Sequence, residues 1–348
     1  MIKTTILIPN YNGIKFIENC LDSIMEMEEK YPVIIVDNGS CDGSDQLILD
    51  KYASGDSTSD GFIHQSNHSA DHNQITLIKL SENTGFCHAV NVGINAVKTP
   101  YVFLLNNDTV VKKDTISVLE RRIESSKKIF SVQSLILNLY NQDLIDDAGD
   151  TYSALGWARA IGKDRDYKEF LSTKEVKQDN AKQVFACCGA AVLYRCEIFD
   201  DIGTFDENHF AYLEDIDLGY RARINGYINL CEPESIIFHA GSGTSGSRHN
   251  RFKVDLSAKN NVYLIYKNMP LLQMIINLPL LILGFCAKIV FFCLKGMGLT
   301  YIKGLAKGFA LCASDMKNGH RHKVWFKPSN LGHYVSIQIE LWKNMIPR

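Results

Sequence analysis

Tyr101-Val-Phe-Leu-Leu-Asn106-Asn107-Asp108 is an apolar run that ends abruptly in three polar side chains able to face a metal ion or a phosphate. A strand buried on both faces reads as a continuous apolar run. In an open α/β sheet, ligands bind outside the carboxyl ends of the strands. Asp108 thus stands where a carboxylate could hold a divalent ion against a diphosphate. A plain turn is the competing reading, because Asn and Asp form Asx turns readily. Pro9-Asn10-Tyr11-Asn12 and Asp37-Asn38-Gly39-Ser40 also follow apolar runs. There the Asp37 carboxylate could accept hydrogen bonds from a base or ribose. Asn83-Thr84-Gly85-Phe86 opens a helical pattern, where free amides can face phosphate or the residues simply cap the helix.

Two further clusters carry chemistry. Glu214-Asp215-Ile216-Asp217 sets three acids at a helix start. They either satisfy the helix dipole or include a general base within reach of a substrate hydroxyl. Phe238-His239-Ala-Gly241-Ser-Gly243-Thr-Ser-Gly246 contains a literal GxGxxG. As a dinucleotide fingerprint it fails, since it does not follow the first strand and no further βαβ unit succeeds it. The remaining readings are a loop, or a metal-binding His239 followed by a segment that, with Arg248 and Arg251, closes over a diphosphate.

These residues need a scaffold. Apolar runs at Ile6–Ile8, Val33–Val36, Ile75–Leu80 and Tyr101–Leu105 alternate with helical patterns at 17–27, 44–52 and 87–97. That alternation predicts βαβ units and a parallel sheet. Strands are expected near 130–139, 184–194, 228–231 and 236–239, with a helix after Glu214. Between them, Ala53 to Gln74 is polar and turn-rich; His64, His68 and His72 recur every fourth residue, but a solvated insertion is the expectation there. Ten cysteines show neither zinc-type nor disulfide spacing, which implies a reducing compartment. No charged-then-apolar leader precedes Thr4, so no signal peptide is expected.

The net charge of −2 hides an asymmetry. Residues 285–348 hold 10 Lys/Arg against 2 Asp/Glu, leaving the preceding 284 residues at −10. A basic tail behind an acidic body points to an anionic partner; a membrane is favoured, because no aromatic-interleaved nucleic-acid motif is present. Leu271–Leu294 is apolar, yet Gln273, Asn277, Gly284, Lys288 and Lys295 fall on one narrow stripe at helical spacing. An interfacial helix is the favoured reading, ahead of a span or a core helix.

The ordered set Pro9-Asn10-Tyr11-Asn12, Asp37-Asn38-Gly39-Ser40, Asn83-x-Gly85-Phe86, Asn106-Asn107-Asp108, Glu214-Asp215 and His239 resembles the inverting family-2 glycosyltransferases of the GT-A fold, above all a bacterial rhamnosyltransferase-like branch. The likeness spans roughly residues 3–250. It implies an α/β architecture: a Rossmann-like nucleotide-sugar half at 1–110, an acceptor and catalytic half at 111–253, and a helical, basic, membrane-associating region at 254–348. It implies donor contacts from Pro9, Asn10, Tyr11, Asp37, Asn83, Gly85, Asn106, Asn107, Arg248 and Arg251. Asp108 and His239 would hold Mg²⁺ or Mn²⁺, and Asp215 beside Glu214 would act as base. Gly189 and Ala190 would line the acceptor side, with Trp157 either a stacking face or a core residue. Asn106 stands where many relatives carry a first Asp of the metal motif.

The resemblance implies one in-line displacement with inversion at the anomeric carbon. The expected donor is dTDP-rhamnose, ahead of UDP-sugars, and the expected acceptor is a polyprenyl-diphosphate-linked saccharide at the cytoplasmic membrane face. The Gln-x-x-Arg-Trp signature of processive synthases is absent from the sequence, so transfer of a single sugar is expected. A catalytically silent sugar-nucleotide or glycolipid-binding subunit is the alternative. A nicotinamide oxidoreductase rests only on Gly241–Gly246.

Overall fold

The computed structural model describes residues 2–52, 63–65, 74–172, 181–241 and 250–346. Of the sequence expectations, Arg248, Gly243, Gly246, His68 and His72 lie outside the described residues. The first half runs β1 (Thr4–Asn10), α1 (Ile17–Met25), β2 (Val33–Asn38), α2 (Ser44–Tyr52), β3 (Ile63–Gln65), β4 (Ile75–Leu80), α3 (Phe86–Ala96) and β5 (Tyr101–Leu105). Strands β4, β2, β1 and β5 pair in parallel, in that order. Their apolar runs are continuous because both faces are covered. Ile6, Ile8, Phe103 and Leu105 pack into one core layer, while Leu7, Val102 and Leu104 pack into the opposite one.

The second half continues the same sheet. It comprises β6 (Thr109–Val111), α4 (Thr115–Glu124), β7 (Ile129–Asn138), β8 (Ile145–Asp147), β9 (Asp150–Tyr152), β10 (Ala158–Ala160), α5 (Tyr167–Ser172), β11 (Lys182–Val184), β12 (Ala191–Arg195), α6 (Phe199–Ile202), α7 (Glu214–Ile224) and β13 (Ile228–His239). β12 lies antiparallel between β5 and β7, and β13 runs parallel to β7. The strand expected over 184–194 is two strands, broken at 185–190. The two segments expected at 228–231 and 236–239 are one strand, β13, with a register shift between Glu232 and Ile236. A bulge of that kind bends a strand without ending it.

Four helices follow: α8 (Arg251–Asn268), α9 (Leu271–Leu294), α10 (Gly298–Lys317) and α11 (Leu331–Lys343). The thin polar stripe of α9 faces the body. Gln273 accepts from the Tyr220 hydroxyl at 2.8 Å, Asn277 is fully buried against Gln338 and Trp342, and Lys288 donates to the Gly156 carbonyl at 3.3 Å. The apolar side is left outside, with Leu271, Ile275, Leu278, Ile282, Leu283, Val290 and Leu294 all exposed. The Asn277 amide and the Gln273 carbonyl oxygen find partners, which offsets much of the cost of burying them. Exposing this much apolar surface is the unusual feature.

Gly284 sits on the inward stripe, where any Cβ would run into the Leu155 carbonyl. Gly284→Ala is therefore expected to destabilise the protein by about 1–3 kcal/mol, the usual range for overpacking. Thermal unfolding checks this; an unchanged midpoint would mean that α9 does not dock as described.

Candidate active site

The strand ends converge on one cleft of about 840 Å³. Its walls include Pro9, Asn10 and Tyr11 at the end of β1, Asn106–Asp108 after β5, Gly189 and Ala190 before β12, Glu214 and Asp215 at the start of α7, and His239 at the end of β13. Residues more than one hundred positions apart thus share one cavity, because parallel strands deliver all their carboxyl ends to the same edge.

At one end, β13 pairs with β6 so that His239 lies opposite Thr109, and the Ala240 N–H donates to the Asp108 carbonyl at 2.9 Å. This register brings His239 Nε2 to 3.1 Å from Asp108 Oδ1 and its Nδ1 to 2.8 Å from Asp146 Oδ2. Lys163 contacts the other oxygen of Asp146. Burial opposes the charged imidazolium, but the hydrogen bonds to Asp108 and Asp146 hold it up to about 9. One carboxylate and one imidazole nitrogen suit a divalent ion whose remaining ligands are phosphate oxygens and water. Asp146, on the far ring nitrogen, is the kind of orienting carboxylate that stands behind metal-binding histidines. The donor set fits a cation.

At the other end, acids gather, and among the described residues no ion pair balances Glu214, Asp215, Asp147 or Asp150. Burial, with Asp215 adjacent, pushes Glu214 up to about 8, and burial pushes Asp215 up to about 6. Burial likewise raises Asp147 to about 6 and Asp150 well above the usual carboxylate range. Asp147, Asp150 and Cys188 bring potential ligand atoms within 4.8 Å of one another. Burial nevertheless favours the neutral forms of Asp150 and the Cys188 thiol. A carboxyl group with a raised pKa can exchange protons near neutral pH, as general base chemistry requires.

The third acid of the α7 cluster does something else. Asp217 is fully buried and bonded to Arg221 at 3.0 Å, Lys267 at 2.9 Å and Asn268 at 2.7 Å. Burial opposes its charge, but Lys267 and Arg221 hold it far below the usual carboxylate range. The loop before α7 is under backbone strain: Phe210, Tyr212 and Leu213 all have φ near +65 to +71°. Non-glycine residues hold such angles only when surroundings impose them, at a cost of about 1–3 kcal/mol each. Asn260 of α8 imposes them here, donating to the carbonyls of His209, Ala211 and Tyr212 at 2.7–2.9 Å. Behind the loop, Gly85 has φ +93°, and a Cβ there would meet the Phe210 ring.

Several residues expected at the site stand back from the cleft wall. Asp37 accepts from Asn10 Nδ2 at 2.8 Å and from the Ser40 hydroxyl and N–H at 2.6 and 3.0 Å, so its oxygens are used internally. Asn10 also accepts from Asn107 Nδ2 at 2.7 Å, which ties the ends of β1, β2 and β5 together. Trp157 donates to the Gly284 carbonyl at 3.2 Å and packs towards α9, while its neighbour Ala158 lines the cleft. Arg251 is exposed at the first turn of α8, where Phe252 and Lys253 take the lining positions. Gly85 serves the close approach of Phe210 from behind. Asp146, Asp150 and Asn260 were not anticipated. Asp146 and Asp150 flank an ordinary-looking turn, and Asn260-Asn261 is a polar pair inside a helix, the one local signal available.

A mixed sheet with a parallel, doubly covered first half, and with acids and a cation-suited pair at its carboxyl edge, has the arrangement of a GT-A-like α/β fold. The profile described as Glycosyl transferase family 2 matches residues 5–203, more than half the chain, and the chain belongs to that family. It is 24% identical over 230 residues to poly-beta-1,6-N-acetyl-D-glucosamine synthase of Staphylococcus aureus (strain COL), covering 66% of this chain and 48% of that protein. It is 24% identical over 143 residues to glycosyltransferase GlyG of Streptococcus pneumoniae serotype 4, covering 41% of this chain and 40% of that protein. The chain thus spans less than half the length of these relatives. Among solved structures it resembles GalNAc-T7 with UDP, GalNAc and Mn²⁺ (TM-score 0.57, 16% identity, covering 76% of this chain and 48% of that one). It also resembles the mannosyltransferase PcManGT of Pyrobaculum calidifontis with GDP-Man and Mn²⁺ (TM-score 0.53, 16% identity, covering 97% and 84%). At these identities the likeness is one of fold.

The raised His239 value sets a pH window for the metal-free protein. An ordinary histidine titrates near about 6.5, so the two ion pairs contribute fully below that pH and fade as pH rises through about 9. The gap in thermal midpoint between the native chain and His239→Asn is expected to be largest near pH 6 and to close above pH 9. A pH-independent gap would refute the paired imidazolium.

Proposed function

We propose that this family-2 glycosyltransferase is a non-processive, inverting enzyme that moves one sugar, rhamnose first among candidates, from a nucleoside-diphosphate donor to a hydroxyl of a lipid-linked saccharide. One observation carries the reading: the Asp108–His239 pair and the Glu214–Asp215 acids border a single cleft. A donor diphosphate at the first and an acceptor hydroxyl at the second would meet at the sugar C1. The donor contacts would come from the 1–110 half and the base from the 111–253 half. Mn²⁺ with UDP and GalNAc in one fold neighbour, and with GDP-Man in another, supports the choice of ligands.

In this mechanism Asp108 and His239 would hold Mg²⁺ or Mn²⁺, with Asp146 orienting the imidazole. When bound, the ion supplies Lewis-acid neutralisation of the departing diphosphate. Tyr11, 36% exposed at the cleft, offers a ring face to the base. Asn83, Asn106 and Asn107 line the donor side with amide groups. The small residues Gly189 and Ala190 leave room for the acceptor sugar. Asp215 takes the acceptor proton as its oxygen attacks C1 from the face opposite the diphosphate, which inverts the centre. Holding both reactants in line supplies much of the rate.

The region 254–348 would seat the enzyme on an anionic membrane. The outward apolar faces of α9, α10 and α11 carry Leu278, Ile282, Phe309, Val335 and Trp342, with exposed Lys295, Lys303, Lys317 and Lys327 on the same helices and loops. Apolar burial in the headgroup zone plus attraction to anionic lipid is how interfacial helices bind. The α9 stripe is already committed to the body, which favours an interfacial position over a span.

Asp215→Asn is expected to cut turnover about 10²–10⁴-fold, the usual worth of a general base, while donor binding persists. A panel of nucleotide sugars with Mn²⁺ or Mg²⁺, read by donor hydrolysis and by the rise in thermal midpoint, checks this and names the donor; full turnover in the variant would sink the assignment. For the membrane, the double variant Leu278→Glu/Ile282→Glu is expected to lose flotation with anionic vesicles while staying folded. Equal flotation would defeat the interfacial face.

A further inference from the structure

Arg159 and Lys288 are two cations that meet without an anion. Arg159 lies half-buried on β10, its guanidinium carbon 5.1 Å from the Trp157 ring centroid. Trp157 donates in turn to the Gly284 carbonyl of α9 at 3.2 Å. Lys288 stands one helical turn beyond Gly284, and its ammonium donates to the Gly156 carbonyl at 3.3 Å. Both charged heads are thus held where the turn before β10 rests on α9. Among the described residues neither has an ion-pair partner, and the guanidinium makes no hydrogen bond. Desolvation, with Arg159 close by, pushes the Lys288 ammonium down to about 8. Like charges brought together away from water repel, and an anion between them removes the penalty.

The surroundings say which anion fits. Successive side chains of a strand point to opposite sides. Ala158 lines the cleft, whereas Trp157 and Arg159 on either side of it turn towards α9. One strand therefore separates the cation pair from the cleft that holds Glu214 and Asp215. That strand, β10, is an edge of its two-stranded sheet, so a ligand can round it. On the other side, Lys288 sits where the inward stripe of α9 meets its apolar outer face, with Leu283, Val290 and Phe291 exposed. A lysine at such a border covers apolar surface with its stem and keeps its head at the polar level. The turn itself is firmly seated: Asn261 donates to the Gly156 carbonyl at 2.9 Å, and the Ala154 N–H donates to Leu341 at 2.9 Å. A molecule with a sugar, an anionic group and an apolar chain, in that order, meets all three surroundings at once.

We propose that Arg159 and Lys288 form the binding site for the phosphate groups of a lipid-linked acceptor, at the point where its saccharide turns from the membrane face into the cleft. This rests on the reading of the acceptor as a lipid-linked saccharide. Arg159 takes two phosphate oxygens in its planar fork, and Lys288 adds a point charge. The lipid chain lies along the exposed apolar side of α9. The saccharide passes the edge of β10 and brings its hydroxyl towards Asp215. No bond is made or broken at the pair; it sets where the acceptor is anchored.

The test is co-flotation of the full chain with neutral phosphatidylcholine vesicles that carry either polyprenyl diphosphate or phosphatidylglycerol at matched charge. EDTA is present, so that no divalent ion draws the diphosphate to Asp108 and His239. The native chain is expected to prefer the polyprenyl diphosphate vesicles about tenfold, the worth of one or two charge-assisted hydrogen bonds. The double variant Arg159→Gln/Lys288→Gln is expected to lose that preference, with the thermal midpoint reporting that it remains folded. Each single glutamine variant is expected to lose part of it, so the test stands even where the double variant fails to fold. Folded variants that keep the native preference overturn the site and leave the lipid-linked acceptor in place. A native chain that binds both vesicle types alike removes the lipid-linked diphosphate acceptor itself, and the site with it.

Discussion

The buried ionic knot around Asp217 is what the site geometry depends on. Asp217 lies one turn into α7 and binds Arg221 of its own helix together with Lys267 and Asn268 of α8. Lys267 also reaches Asp206 at 2.7 Å, just ahead of the strained 210–213 loop. Removing one member of such a knot leaves a buried charge without a partner, at a cost of about 3–5 kcal/mol. The knot locks the first turn of α7 against α8, and that turn carries Glu214 and Asp215. Asn260, on the same helix as Lys267, holds the loop before α7 by three carbonyls. A single helix, α8, therefore sets both the direction and the entry angle of the turn that carries Glu214 and Asp215.

The two ends of the cleft are electrostatically opposite because their neighbours differ. Near Asp108, the imidazole of His239 and the ammonium of Lys163 accompany the carboxylates, and charge is balanced. Near Asp215, carboxyl groups face one another with apolar packing behind them, and the pKa values rise. Separating acids in this manner gives one cleft an end that holds charge and an end whose carboxyl groups titrate nearer neutral pH. Hydrogen-bonded asparagines complete the frame: Asn10 joins Asp37 to Asn107, and Asn38 holds Thr84 at 3.0 Å and the Gly85 carbonyl at 3.1 Å.

The C-terminal helices are coupled to this frame through the β9–β10 hairpin. Its turn rests on α8, α9 and α11, and its first residue is Asp150 in the cleft. The inward polar stripe of α9 makes that coupling specific, since Gln273, Asn277 and Gly284 fit only one face of the body. The apolar remainder is then obliged to face outward.

Much was legible from local pattern alone. The order of strands and helices follows from apolar runs of strand length alternating with helical periodicity, and polar residues at the ends of those runs mark the edge that carries the cleft. Such signals survive because they depend on neighbours a few positions away. The pairing of Asp108 with His239 was readable only as family likeness, since nothing local links positions so far apart. Three matters were left to tertiary structure. Asp37 turned inward because Asn10 and Ser40 satisfy it; Asp146, Asp150 and Asn260 gained importance through partners on other elements; and the polar stripe of α9 packed against the body. An amphipathic pattern defines two faces of a helix, but the shape and polarity of the surface it meets decide which one is buried. Likewise, a carboxyl group's proton affinity is set by burial and by charges brought close from far along the chain, and neither exists until the chain has folded.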